Sequence, residues 1–216
     1  MNHDSLFARF MVYRATPKTQ ARKLVQRELL LEAARGLVAQ GGFAATSIQA
    51  VAARAGLATG SVYRHFPSKA ELFVEVFVEA SAHEVQTMAQ AAEGHPSATQ
   101  ALRAAVQTWS SRALQGRTLA YALIAEPVMP ELETARLRLR QAYVDVLRAI
   151  LRRGCDTSEF SLPNLDLAAA AIVGAMAEAL VGPLSHGDVH DAEARHTLAS
   201  DLTHFCLQAV TPSASP

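Results

Sequence analysis

Three observations predict an all-α fold for this chain. Apolar residues recur at helical spacing from about residue 20 nearly to the end, capping patterns and Gly or Pro stops punctuate that periodicity, and no alternating strand pattern or internal repeat interrupts it. The expected architecture is an N-terminal three-helix head, a long fourth helix and a larger C-terminal helical body. Half of the 216 residues are hydrophobic, so a sizeable core is available without metal or disulfide support.

Residues 1–19 contain Pro17 and little periodicity and are expected to form a flexible basic arm carrying Arg9, Arg14 and Lys18. A first helix is expected from Gln20 to Gln40, with Leu24, Leu30, Ala34, Leu37 and Val38 on its apolar face and Gly41-Gly42 as its stop. Thr46-Ser47-Ile48-Gln49 matches a capping box, with the Thr46 hydroxyl bonding the Gln49 amide, so a second helix starts at about Ser47. It presents Ile48, Val51 and Ala52 to a core and halts at Ala55-Gly56-Leu57, where glycine permits a sharp turn into a short third helix, Ala58 to His65.

Phe66-Pro67 ends the third helix, because a residue before proline is pushed out of the α region. Ser68 to Glu71 then makes a second capping box opening the fourth helix, Lys69 to about Ala92, with Leu72, Phe73, Val76, Phe77 and Ala80 on one face. Beyond Gly94-His95-Pro96, further helices are expected at Ala98–Leu114, Arg117–Ala125, Glu131–Arg152, Asn164–Val181 and Asp191–Val210. Gly182-Pro183 separates the last two, and a Pro/Ser tail, 211–216, is expected to be disordered. The head and body therefore divide as 20–67 and 68–210.

Formal net charge is zero, but its distribution is uneven. Residues 1–70 hold ten Lys or Arg against three Asp or Glu, a balance of +7, and the remainder holds ten against seventeen, a balance of −7. Phosphate binding needs positive charge only where contact is made, so a basic head on an acidic body is what a DNA-binding module requires. Cys155 and Cys206 show no zinc or redox spacing, the first residues lack a secretory signature, and the longest apolar run, Leu167 to Ala177, is too short for a bilayer. That run is expected to be a fully buried helix, the location cytoplasmic, and no membrane partner, metal or cofactor is expected.

The most informative stretch is TSIQAVAARAGLATGSVYRHFPSKAELF, Thr46 to Phe73. Its helix-turn-helix, followed by Tyr63, His65 and Phe66 and then by Lys69 at a helix start, resembles the DNA-binding domain of the TetR (tetracycline repressor) family over residues 20–73. That resemblance implies a homodimeric transcriptional repressor and not an enzyme. It further implies release from a palindromic double-stranded DNA operator by a small-molecule inducer. By resemblance Gln49 also reaches a base edge, which competes with its capping role.

Physical chemistry assigns roles to the same residues. Unpaired amides at helix starts favour anions, so Thr46, Ser47 and Lys69 are expected at phosphates. Tyr63 and His65 offer donors that position the third helix, Arg64 suits phosphate or guanine, and Thr59, Gly60 and Ser61 allow close approach to base edges. The bland reading, which fits Phe66 best, makes Tyr63 and Phe66 core aromatics and Lys69 a solvated lysine.

In the body, small residues four apart, Ala170 and Gly174 in one row and Ala171, Ala175 and Ala179 in another, suit close helix packing across a homodimer built from the last two helices. An inducer cavity lined by Phe77, Met88, Trp109, Tyr121, Met129, Tyr143 and Met176 would suit a hydrophobic or aromatic ligand. His186-Gly187-Asp188-Val189-His190-Asp191 has metal-like composition but reads as an interhelical linker in which Asp188 or Asp191 caps the last helix. Glu126 beside Pro127 reads as a buried carboxylate, but one acid without a second is thin evidence for an enzyme. A helical protein-binding adaptor that has lost DNA recognition is the competing functional class, and an all-helical enzyme finds no catalytic motif.

Overall fold

The computed structural model describes residues 17–186 and 191–211. Among them the chain forms α1 (Pro17–Gly41), α2 (Ile48–Arg54), α3 (Thr59–Val62), α4 (Lys69–Ala92), α5 (Ala98–Gln115), α6 (Arg117–Ile124), α7 (Pro130–Asp156), α8 (Leu165–His186) and α9 (Ala192–Gln208). The arm residues Arg9 and Arg14, most of the His186 to Asp191 linker and the tail after Thr211 lie outside the described residues.

Local chemistry explains the helix starts. Ser47 Oγ accepts from the Ala50 amide at 3.1 Å and Ser68 Oγ from the Glu71 amide at 3.1 Å. Thr46 is therefore not the cap of α2. Its hydroxyl donates to the Gly42 carbonyl at 2.7 Å and is buried, which leaves Gln49 exposed and outside any capping box. Asp191 caps α9, accepting from the Ala194 amide at 2.6 Å; Asp188 lies outside the described residues.

Two apolar clusters organise the molecule. In the head, Leu30, Leu31, Val38, Phe43, Ile48, Val51, Val62 and Phe66 close on Leu72, Phe73, Val76 and Phe77 of α4, and Ala122, Leu132 and Ala135 of α6 and α7 join the same cluster. In the body, α5 lies against α4 and α9, with Leu102, Val106, Leu114, Leu147, Leu151, Met176 and Leu202 at its centre. Leu24 does not belong to either; it is exposed on the first turns of α1, ahead of the point where that helix meets the core.

Two expectations about α8 need correction. The helix runs through Gly182 and Pro183 to His186, held by buried Leu180 and Leu184 on either side of the proline. It is also not fully buried. Leu165–Ser185 is long and apolar enough to cross a membrane by length and composition, yet only a third of it is buried. One side packs on α5, α6 and α7, while Leu167, Ala170, Ala171, Gly174 and Ala179 face outward.

A carboxylate pins the start of α5. Glu159, in the α7–α8 connection, accepts from the Ala98 and Thr99 amides at 2.9 Å each, and these backbone hydrogen bonds hold its pKa at about 2 against a usual 4.5. A carboxylate depressed in the folded state contributes stability that is complete above its unfolded pKa and is lost as pH falls toward the folded one. Thermal unfolding at pH 5 and pH 3 checks this: Glu159→Gln should lower Tm at pH 5 and shrink the difference between the two pH values relative to wild type.

Candidate nucleic-acid interface and ligand cavity

Four residues of helix and a following turn make up the outer end of the head. The α3 turns continue through Arg64 N–H to the Ser61 carbonyl (3.3 Å) and His65 N–H to the Val62 carbonyl (2.9 Å), so the helical path reaches His65 although α3 itself ends at Val62. Val62 and Phe66 anchor this segment by full burial, and Arg27 lies over the Phe66 ring at 4.8 Å. The bland reading of a core aromatic holds for Phe66 and not for Tyr63, which is 52% exposed.

Around Tyr63 the surface is cationic. Arg64 is exposed and reaches back to Ser61 Oγ at 2.6 Å, and Lys69 Nζ sits 4.9 Å from the Phe73 ring centroid at the start of α4. Burial first, and then Arg64, Lys23 and Arg27, push the His65 pKa down and so favour the neutral ring, which carries both a donor and an acceptor. Gly60 has open space where a Cβ would stand, and Gln49 and Gly60 are both exposed, with Thr59 partly so. Two expected contacts do not reach this surface. Thr46 is 3% exposed with its hydroxyl on Gly42, and Ser61 is 7% exposed with its hydroxyl on Arg64.

A second feature lies in the body. A cavity of about 300 Å³ opens among α4 to α8 and is lined by Phe77, Trp109, Leu119, Leu123, Leu139, Tyr143, Val173 and Met176, with Arg136, Arg140 and the Glu84–Arg112 pair at its polar margin. Arg112 grips Glu84 through two hydrogen bonds of 2.7 Å. The Trp109 and Tyr143 rings meet edge to face at 6.5 Å, and burial raises the Tyr143 phenol far above its usual pKa, keeping it protonated.

Three of the residues expected in this cavity lie elsewhere. Met88 is fully buried in the body core, Tyr121 packs against that same core, and Met129 packs against the head cluster. Apolar periodicity identifies a buried stripe but does not say whether the stripe meets a neighbour or a void. Sequence reading also missed the polar margin, since Arg136 and Arg140 look like solvent-facing arginines on an amphipathic helix.

The head is also what known proteins share. The family model for bacterial regulatory proteins of the tetR family matches residues 30–76, which run from the middle of α1 into α4 and include Gln49, Thr59, Tyr63, Arg64, His65 and Lys69. The likeness to the TetR family is therefore carried by the head. The HTH-type transcriptional repressor KstR of Rhodococcus jostii is 45% identical over 49 residues, a stretch that is 23% of this chain and 23% of that protein, so the chain matches less than a quarter of that relative's length. The HTH-type transcriptional repressor BepR of Brucella suis is 26% identical over 183 residues, covering 79% of this chain and 86% of its own.

Likeness in fold extends over both parts. The transcriptional regulator FadR of Bacillus subtilis, solved with stearoyl-CoA, superposes with a TM-score of 0.72 at 19% identity, covering 84% of this chain and 98% of that one. TetR-family regulators generally bind DNA and respond to small ligands, typically as homodimers, and they are not enzymes.

Proposed function

We propose that this protein is a homodimeric transcriptional repressor that grips a palindromic DNA operator with its two heads and lets go when a hydrophobic or aromatic molecule fills the body cavity. The observation that carries the reading is the surface around α3, where a half-exposed Tyr63, an unobstructed Gly60 and the cations Arg64 and Lys69 surround a short helix. A protruding helix with small residues at its start enters a major groove, and flanking donors fix it on phosphates. Thr59 and Gln49 read base edges in this account. Ser47, Gly60, Tyr63, Arg64, His65 and Lys69 set register and orientation, with 20–67 acting as the reading unit and 68–210 as the sensing and pairing unit.

The pairing surface is the outward face of α8 together with α9. Leu167 and Phe205 stand 65% and 58% exposed there, and a side chain at Gly174 would meet nothing within 4 Å. Exposed apolar surface on this scale around a stripe of small residues suits a second copy of the same helices packing at close range. On this reading α8 is an interface helix of a cytoplasmic protein and not a membrane anchor. The cavity, with Phe77, Trp109, Tyr143 and Met176 as its aromatic and apolar walls, takes the inducer, and the crossing of α4 from cavity to head links the two.

Salt dependence tests the DNA reading. A duplex enriched by the wild-type chain from random-sequence DNA should bind with an affinity that falls steeply as salt rises. Lys69→Ala should weaken it by about tenfold and lower the slope of log affinity against log salt by about one. An adaptor that merely shares the scaffold would show neither the affinity nor the slope.

A further inference from the structure

Glu126 is the buried carboxylate singled out by the sequence, and its partners lie 82 and 83 residues away. It sits in the α6–α7 connection, only 7% exposed, and its two oxygens accept from the Phe43 and Ala44 amides at 2.9 Å each. Those amides belong to the turn between α1 and α2, the segment that decides where α2, and after it α3, begins. The turn has been shaped to admit the carboxylate. Gly42 has φ of +79°, and a Cβ there would stand 2.8 Å from both Glu126 oxygens.

Glu126 is itself held from the cavity side. The Arg136 guanidinium, 9% exposed, donates through Nη2 to the carbonyls of Glu126 (2.8 Å) and Ala122 (3.2 Å) and through Nε to that of Leu123 (3.0 Å), and it pairs with Glu133. It thereby ties the last turn of α6 to α7 and fixes the backbone that carries Glu126. Arg136 and Leu123 are also walls of the cavity. A second path runs beside this one, because Phe77 lines the cavity and its ring lies 6.1 Å from Phe43, the residue whose amide Glu126 accepts.

We infer that Glu126 is the positioning residue that holds the DNA-reading head in register, and that the cavity governs the head through Arg136. This rests on the proposed repressor function. A molecule that draws the guanidinium away from its three carbonyls, or displaces the α6 turn, frees Glu126 from the Phe43 and Ala44 amides and lets the α1–α2 turn move. The control point is thus a carboxylate clamp from the α6–α7 connection, acting alongside the continuous α4. Only a two-amide acceptor fits there, since each oxygen has its own donor and the carbonyl side is already occupied.

Amide hydrogen exchange on the full-length chain tests this without an identified ligand. In Glu126→Gln and Arg136→Met, exchange at Phe43 and Ala44 should accelerate by at least about tenfold, with the α5 and α9 core amides unchanged, while the surface variant Arg138→Met should match wild type. Affinity for the selected duplex should fall by about fivefold or more in each single variant. The double variant Glu126→Gln/Arg136→Met should be no worse than Glu126→Gln alone, because the second change acts through the first.

Either of two results overturns the inference. One is Arg136→Met with wild-type exchange at both amides; the other is a double variant whose losses multiply, which marks two independent structural residues. If wild type enriched no duplex at all, the repressor reading would fail while the exchange comparison would still decide the clamp.

Discussion

A Leu167→Glu/Phe205→Glu double variant is expected to run as a folded monomer and to lose about a thousandfold in affinity for its selected duplex. Both side chains are mostly exposed on the single chain, at 65% and 58%, so a charge there disturbs the monomer by only a few tenths of a kcal/mol. Across a closely packed pair of α8 and α9 helices the same charges would be desolvated without partners, which costs about 3 to 5 kcal/mol when one partner of a buried contact is lost. Separating the heads turns a two-site grip into single half-site binding, and tethering of that kind is worth about 100- to 10,000-fold. Sedimentation velocity and duplex titration check the two halves of this expectation separately. A variant that remains dimeric would place the pairing surface elsewhere.

Gly42→Ala is expected to be the most damaging single methyl addition in the head, at about 3 kcal/mol of stability. A non-glycine residue in the left-handed region costs about 1 to 3 kcal/mol, and this one would also press its Cβ against a buried carboxylate that accepts two amides. Chemical denaturation would show the loss as a lower midpoint. Gly56, also at positive φ but with open space around its Cβ position, should lose only the conformational part when changed to alanine. The contrast between the two glycines separates backbone strain from loss of the Glu126 clamp.

Much of this molecule is legible in the sequence because local chemistry decides it. Ser68, Pro67 and Gly56 mark where helices of the head begin and end, since caps, prolines and left-handed glycines act within one turn of the chain. Phe66 and Tyr63 show where that legibility stops. Three residues apart and both aromatic, one is buried and the other half-exposed, and only the packing of α1 over Phe66 distinguishes them. Thr46 and Ser47 pose the same difficulty at closer range. Either hydroxyl can cap α2, and the cap falls to Ser47 because the Gly42 carbonyl claims Thr46.

The less legible features are long-range. Nothing local to Glu126 reveals that the amides it needs are those of Phe43 and Ala44, because the pairing depends on how α1 packs against α6. Met88, Tyr121 and Met129 lie outside the cavity for a related reason: a void is defined by the elements around it and leaves no period in any one of them. Pro183 by its chemistry marks a helix stop, yet α8 carries it, since buried apolar residues on both sides outweigh one lost backbone hydrogen bond.

All of the functional reading depends on the outer end of the head meeting a duplex. Amide hydrogen exchange of the full chain, with and without the duplex it selects, asks this directly. Slowed exchange at Thr59 to Tyr63 and at the start of α4, Lys69 to Leu72, is the expected result. Slowing confined to the body, with Thr59 to Tyr63 exchanging as fast on the bound duplex as off it, would contradict the account.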